Sequence, residues 1–205
     1  MVRAPSAIYL LGALLPTALA ATAAKRKPPL LVVGAGALGQ RLAAEWTTTT
    51  GGPVYGVTRS DEPETRRRLQ DLGIEPLARE QLGALPDAPF AYVAFCAPPG
   101  GNDDYAAEVE SALRHWRGPG DDACGFVFTS SAGVYAEDCG GTVAEDAPLG
   151  STPRSQRLLD AERLVTAAGG TVLRLAGLYL LRRGAHNAYL GMEEVKARPD
   201  GLINQ

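Results

Sequence analysis

The chain has 205 residues, of which 45% are hydrophobic, and a formal net charge of −3. This length suits one globular domain with a sizeable core and excludes two full domains. The slightly acidic balance excludes the broad basic surface that gathers nucleic acid, so no DNA partner is expected. The three cysteines, Cys96, Cys124 and Cys139, have neither metal-binding spacing nor a disulfide framework, so we expect buried or free thiols and no metal site.

The first residues of the chain differ in character from the rest. Met1-Val2-Arg3 gives a positive start, residues 7–20 are apolar, and Ala18-Leu19-Ala20 is similar to a cleavage site. The pattern predicts a targeting segment over residues 1–27, a signal or transit peptide, followed by a single domain over residues 28–205. No stable membrane span is expected once the segment is removed. The predicted destination is the secretory pathway or a plastid reached by a signal-led route; a membrane anchor or an unstructured leader is the alternative.

A glycine-rich motif follows the first predicted strand, residues 30–33. The motif is Gly34-Ala35-Gly36-Ala37-Leu38-Gly39. A buried strand closed by G-x-G-x-x-G at the start of a helix is typical of dinucleotide binding. Gly34 permits the tight turn, Gly36 lets a pyrophosphate approach the backbone, and Gly39 lets the helix pack closely on the strand. The pyrophosphate would accept hydrogen bonds from the first N–H groups of the helix, including Ala37 and Leu38. The alternative is a strand-turn-helix unit without a ligand.

The end of the second predicted strand, residues 54–57, indicates which dinucleotide binds. An acidic residue at this point accepts hydrogen bonds from the free 2′-hydroxyl of NAD. Here the chain reads Thr58-Arg59-Ser60 instead. The guanidinium of Arg59 can pair with the 2′-phosphate of NADP, so NADP is favoured over NAD. A solvated surface arginine is the alternative reading, and nearby Asp61 keeps NAD open.

Strands and helices alternate through the remainder of the chain. The predicted order is a helix over 64–72, strands over 74–77 and 89–95, a helix marked by apolar residues from Tyr105 to Trp116, a strand over 125–129, a helix over 155–168 and a strand over 171–175. This alternation implies parallel pairing with right-handed crossovers, and hence a single-domain α/β protein with a doubly wound parallel sheet. The turns after the first, fourth and fifth strands should converge at the carboxyl edge, which adds Ala97 and Pro98 to the predicted cofactor site.

Four stretches together resemble an extended or atypical short-chain dehydrogenase/reductase of the branch related to nucleoside-diphosphate-sugar epimerases. They read VGAGALG at 33–39, FTSSAGVY at 128–135, DAE at 160–162 and LRLAGLY at 173–179. The resemblance covers residues 30 to about 180 and implies a Rossmann sheet that binds NAD(P). It also implies that Ser130 or Ser131 lies near the reacting carbon of a small-molecule substrate. An active protein would then be an NADP-dependent oxidoreductase or an epimerase-like enzyme.

The chain departs from this family at the residues that carry its chemistry. In the family, a tyrosine four residues before a lysine exchanges a proton with the substrate, because the ammonium lowers the pKa of the phenol. Arg154 stands in place of that tyrosine and Leu158 in place of that lysine. The chain's lysines are Lys25, Lys27 and Lys196, outside the first six strand-helix units, so the usual pair is absent.

Other residues could substitute for the missing pair. Tyr135 is a candidate acid if Arg154 or Arg157 supplies a neighbouring positive charge; either arginine could instead hold an acidic group of a substrate. Ser130 is a candidate hydrogen-bond donor to a carbonyl, with a capping or strand-end role as the alternative. Glu162 is expected to serve packing or solvation.

The family's substrate-binding region has no counterpart of similar size in this chain. About thirty residues follow the last predicted strand, too few for a separate core on the usual size limits. Residues 201–205 read as a strand without its continuation, so we expect either a truncated product or a pocket completed by a partner subunit, such as a homodimer. Two functions therefore stand: an enzyme of the type above, or a non-catalytic dinucleotide-binding sensor, assembly factor or RNA-associated module.

Overall fold

The computed structural model describes residues 27–59, 62–82, 90–102, 104–120 and 124–179, together with residues 184 and 190. The predicted leader up to residue 26, Ser60, Asp61 and the strand predicted over 201–205 lie outside these residues. None of the helices within the described ranges is long and apolar enough to cross a membrane.

The described elements alternate between strand and helix along the chain. In order they are β1 (Leu30–Val33), α1 (Ala37–Thr50), β2 (Val54–Thr58), α2 (Pro63–Asp71), β3 (Ile74–Ala78), α3 (Arg79–Leu82), β4 (Tyr92–Phe95), α4 (Tyr105–Arg114), β5 (Gly125–Ser131), a 3₁₀ helix (Ala132–Val134), α5 (Pro153–Ala167) and β6 (Thr171–Leu175). Within the described ranges these strands form one parallel sheet in the order β3-β2-β1-β4-β5-β6. The predicted doubly wound Rossmann sheet is thus confirmed, and the strand order reverses between β1 and β4.

Two hydrophobic layers hold helices against opposite faces of the sheet. Val32 of β1 packs with Ala43 of α1 and Leu69 of α2 on one face. On the other face, alternate strand residues such as Phe95 and Phe128 pack against α4 and α5 in the larger core cluster. Successive strand residues point to opposite faces of the sheet, so each strand contributes alternate side chains to the two hydrophobic layers. Burial of both layers fixes the register of the strands and therefore where each strand ends at the carboxyl edge.

Capping residues set the ends of the helices that position the site. The Asp104 side chain accepts a hydrogen bond from the Ala107 N–H at 2.9 Å, and the Thr152 side chain accepts one from the Ser155 N–H at 3.1 Å. Pro153 occupies the first turn of α5, where its missing N–H costs nothing. These local signals fix where α4 and α5 begin.

Most predicted bounds lie within two residues of the observed ones, and three of the differences have a structural reason. β4 is shorter than 89–95, because Phe90 pairs its backbone with the segment after α4 at His115 and Arg117. α4 ends at Arg114, so Trp116 lies beyond the helix although it follows the helical spacing; its indole donates to the Ala91 carbonyl. β5 extends to Ser131 because all of β6 pairs with the second part of β5, from Val127 to Ser131. The short α3 and the 3₁₀ helix were not predicted.

Candidate functional site

A cleft of about 540 Å³ opens at the carboxyl edge of the sheet, beside the point where the strand order reverses. Its volume lies in the range of ordinary small-ligand sites. The turns after β1 and β4, the start of α1 and the end of β5 contribute to its walls. These walls contain the predicted residues Gly34, Gly36, Ala37, Leu38, Ala97, Pro98, Ser130 and Ser131. Gly39 packs behind this wall and Arg59 lies at the neighbouring strand end.

The three motif glycines occupy three different environments. Gly34 has φ +91°, and a Cβ atom there would lie 2.3 Å from the Ala97 nitrogen, so a side chain would collide with the turn after β4. A Cβ on Gly39 would lie 2.6 Å from the Gly34 carbonyl oxygen and 2.8 Å from a methyl of Val32. A Cβ on Gly36 would meet nothing within 4 Å, since that position faces the cleft. Two glycines therefore allow close backbone packing, and the third leaves space for a ligand.

The N-terminus of α1 is chemically suited to an anion. No side chain caps it, and its first turn contains no acidic residue. Its first N–H groups and the positive end of its dipole therefore point toward the open space beside Gly36. Arg41, one turn further on, also lines the cleft. A pyrophosphate fits this arrangement of backbone donors and positive charge.

Hydrogen bonds fix the turn after β4 on the opposite wall. The Cys96 N–H donates to the Val33 carbonyl at 2.7 Å, and the Tyr105 hydroxyl donates to the Ala97 carbonyl at 2.8 Å. Burial, with a smaller contribution from nearby Glu108, raises the pKa of Tyr105 above its usual range, so the phenol remains a donor. The Ala97 wall is thus tied both to β1 and to α4.

Cys96 is the thiol that lines the cleft. Burial raises the pKa of Cys96 to about 11, and a hydrogen bond with Thr129 offsets only part of that rise. The group is therefore a neutral thiol near pH 7 and a poor nucleophile. Cys96, Cys124 and Cys139 are all free, and no cluster of metal-binding side chains occurs among the described residues.

Arg59 lies at the end of β2, outside the walls of the cleft. Its guanidinium is exposed and donates to the Gly100 carbonyl at 2.6 Å. A Cβ on neighbouring Gly101 would lie 2.7 Å from the same guanidinium. Arg59 thus rests against the turn after β4, and one carbonyl uses only part of the five-donor guanidinium.

The two adjacent serines at the end of β5 make different hydrogen bonds. Ser130 is buried, and its hydroxyl donates to Glu162 at 2.5 Å. Ser131 accepts a hydrogen bond from the Gly133 N–H at 3.1 Å, which caps the 3₁₀ helix. A hydroxyl has one proton to donate, so Ser130 has used its proton while that of Ser131 remains available.

Glu162 forms a buried ion pair rather than the solvated or packing role expected from the sequence. It lies on the buried stripe of α5, and the guanidinium of Arg174 on β6 contacts both of its carboxylate oxygens, the shortest contact being 2.7 Å. The hydrogen bond with Glu162 raises the pKa of Arg174 further above its already high value. An acid within an apolar helix stripe and an arginine within a strand were the signals that sequence reasoning overlooked.

Tyr135 does not share the cleft with the serines. It lines a neighbouring cavity of about 600 Å³ together with Glu162 and Arg174. The cation beside its ring is Arg174, whose guanidinium carbon lies 4.9 Å from the ring centre. Arg154, which the sequence offered as that cation, lines the main cleft instead. The structure therefore separates the three predicted catalytic residues into two cavities.

Among comparisons with known proteins, the one with solved structures agrees with this architecture. No protein-family model matches the chain. No curated protein matches it either. A solved protein from Methylobacillus flagellatus that carries the name NAD-dependent epimerase/dehydratase aligns with a TM-score of 0.55 and 24% identity, covering 75% of this chain and 55% of that one.

Two further solved structures share the fold. UDP-glucuronic acid 4-epimerase from Bacillus cereus, solved with UDP-glucuronic acid and NAD, aligns with a TM-score of 0.57 and 21% identity over 74% of this chain and 57% of its own. An NAD-dependent NDP-hexosamine 5,6-dehydratase of tunicamycin biosynthesis aligns with a TM-score of 0.51 and 18% identity over 75% and 56%. The chain thus spans 55–57% of the length of these proteins. They confirm the resemblance to epimerase/dehydratases at the level of fold.

Proposed function

We propose that this protein binds a nicotinamide dinucleotide, NADP in preference to NAD, in the carboxyl-edge cleft, and acts as an oxidoreductase or epimerase-like enzyme. One observation carries the proposal: the open space over Gly36 faces the uncapped N-terminus of α1 within a cleft of ligand size. A pyrophosphate would lie on the N–H groups of Ala37 and Leu38, with Gly34 and Gly39 keeping the turn compact.

The choice of NADP rests on Arg59. Its exposed guanidinium stands at the end of β2, where the adenosine ribose lies in proteins of this architecture. Five N–H donors on a permanent positive charge suit a 2′-phosphate better than a hydroxyl. The Bacillus cereus epimerase was solved with NAD, so a preference for NADP would distinguish this chain from that protein.

The residues around the cleft limit the chemistry. A bound nicotinamide would supply hydride exchange with a carbon of the substrate. Ser131 has the free hydroxyl proton and would donate a hydrogen bond to the substrate oxygen. Arg154 cannot release a proton near neutrality, so it orients or neutralises a charge and does not act as an acid.

The second candidate function is dinucleotide binding without turnover. It is favoured by the residues at the α5 end, where Arg154 and Leu158 line the cleft in place of the family's tyrosine and lysine. The thiol of Cys96 is neutral near pH 7 and does not replace that pair. A sensor or an assembly factor would need only the glycine turn.

The test is fluorescence titration of the chain with NADPH and NADH, comparing the wild type with Gly36→Asp. A Cβ at this position meets no protein atom within 4 Å, so the fold should persist while the substitution brings a negative charge to the pyrophosphate position. We expect at least about a hundredfold weaker binding, from charge repulsion and the lost hydrogen bonds. Gly120→Asp, at another exposed and open glycine, is the matched control. Unchanged affinity in Gly36→Asp would reject the proposed site.

Turnover then separates the two functions. Protein saturated with NADPH is mixed with aldehydes and ketones, and absorbance of the reduced coenzyme is followed. Protein saturated with NADP⁺ is incubated with nucleotide sugars, and the sugar products are separated by chromatography, because an epimerase restores its coenzyme in each cycle and leaves no net change in absorbance. Oxidation of NADPH or a changed sugar supports the enzyme. Tight binding with no turnover across the panel supports the binding module instead.

A further inference from the structure

The charges around the main cleft are unbalanced. Arg41 and Arg154 line it, and no carboxylate does so within the described part of the chain. The neighbouring cavity differs, because Glu145 and Glu162 lie there with Arg174. A concave surface with charge of one sign raises the local concentration of the opposite ion.

The two arginines of the cleft also lack partners among the described residues. Both are exposed, and neither forms an ion pair or a side-chain hydrogen bond with a described residue. By contrast, Arg79 pairs with Glu108, and Arg163 pairs with Asp160. The guanidinium groups in the cleft therefore retain their full donor capacity for a ligand.

These arginines stand on different elements. Arg41 follows the glycine turn on α1, where the proposed function places the pyrophosphate. Arg154 is the second residue of α5, a helix of 15 residues whose first turn contains no acidic residue. The positive end of the α5 dipole thus adds to the charge of Arg154 at the other end of the cleft.

Ser131 adds a neutral hydrogen-bond donor to the same cleft. Its oxygen accepts from the Gly133 N–H, which orients the hydroxyl and leaves its proton for a ligand. A guanidinium together with a hydroxyl donor binds a group with several acceptor oxygens, such as a carboxylate or a phosphate. An uncharged alcohol would leave the charge of Arg154 unmatched.

We infer that the α5 end of the cleft binds the anionic group of a second ligand, a carboxylate or a phosphate, through Arg154 and Ser131. The inference rests on the proposed function for the location of the coenzyme and names the class of its co-substrate. Arg154 is then a specificity-determining residue, since it selects acidic substrates.

The experiment measures binding of malonate and of inorganic phosphate by calorimetry to the full chain, both free and saturated with NADPH. Arg154→Gln should weaken binding of the preferred anion by about tenfold or more, the usual loss for a charge-assisted hydrogen bond. Arg157→Gln is the matched control, because Arg157 is exposed on the same helix and does not line the cleft. The stronger of the two probes in the wild type identifies carboxylate or phosphate as the preferred group.

The outcomes separate this inference from the proposed function. Loss of anion binding in Arg154→Gln with unchanged affinity for NADPH supports both. If NADPH does not bind to the wild type, the proposed function fails, and the anion titration of the free protein still tests Arg154. Equal anion affinity in wild type and Arg154→Gln, or equal losses in both variants, would overturn the inference.

Discussion

The α1 end and the α5 end of the cleft depart from the dinucleotide-binding pattern to very different degrees. At the α1 end, the glycine positions and the uncapped helix agree with the expected fingerprint. At the α5 end, the serine strand is present, but Arg154 and Leu158 occupy the places of the tyrosine and lysine. Binding depends on backbone geometry and catalysis on particular side chains, so the first can persist where the second has changed.

The largest effect is expected when the backbone contact at the α1 end is disturbed. Gly34→Ala combines a left-handed backbone with a Cβ placed 2.3 Å from the Ala97 nitrogen, so we expect about 3 kcal/mol of destabilisation and loss of nucleotide binding. Urea denaturation measures the first effect and fluorescence titration the second.

Gly73→Ala is the control for backbone strain alone. Gly73 has φ +72°, but a Cβ there meets nothing within 4 Å. It should cost about 1 kcal/mol, the usual penalty of the left-handed region. Equal losses in the two variants would show that the contact between the β1 and β4 turns contributes nothing.

At the α5 end, the buried ion pair should contribute most to stability. Glu162→Gln leaves Arg174 without its counter-charge and should cost about 3 kcal/mol in urea denaturation. Asp160→Asn, which breaks an exposed pair with Arg163 on the same helix, should cost under about 1 kcal/mol. A loss in Glu162→Gln as small as that in Asp160→Asn would mean that the ion pair between Glu162 and Arg174 contributes little to stability.

The coenzyme preference gives a smaller effect. Arg59→Asp should weaken NADPH binding by about tenfold while NADH binding changes little, because only NADP carries the 2′-phosphate. Arg68→Asp on the exposed side of α2 is the control for net charge. A rise in NADPH affinity in Arg59→Asp would refute the NADP assignment.

The smallest effect concerns Cys96, whose thiol lines the cleft. Because its pKa is about 11, alkylation by iodoacetamide should be slow at pH 7 and accelerate as the pH rises toward that value. NADPH should protect Cys96 and leave Cys124 unaffected, as peptide mass spectrometry can measure. Rapid alkylation near neutral pH would contradict the buried, protonated state.

The sheet was predictable because its signals are local. Runs such as Leu30–Val33 are uniformly buried, and glycine or proline marks the ends of most elements. The alternation of strands and helices then predicted parallel pairing in a doubly wound sheet. The extent of β5 was not predictable, because pairing with β6 extends it. Local periodicity likewise included Trp116 in α4, although the helix ends at Arg114 and the Trp116 indole donates to the distant Ala91 carbonyl.

The candidate site was predictable where it depends on turns and not where it depends on long-range pairs. The six residues of the glycine motif were enough to predict the tight turn and the open space at Gly36. The bond between Glu162 and Arg174 joins residues on α5 and β6, and no spacing rule connects them. The same limit applies to Tyr135, whose cationic neighbour is distant in sequence.

The close approach of Gly34 to the turn after β4 makes one residue type a condition of the site's shape. The three atoms nearest to a Cβ built on Gly34 all belong to the main chain of Cys96 and Ala97, so the need for glycine there does not depend on which side chains those two residues carry. Gly34 therefore serves the architecture of the sheet edge whether or not the cleft catalyses a reaction.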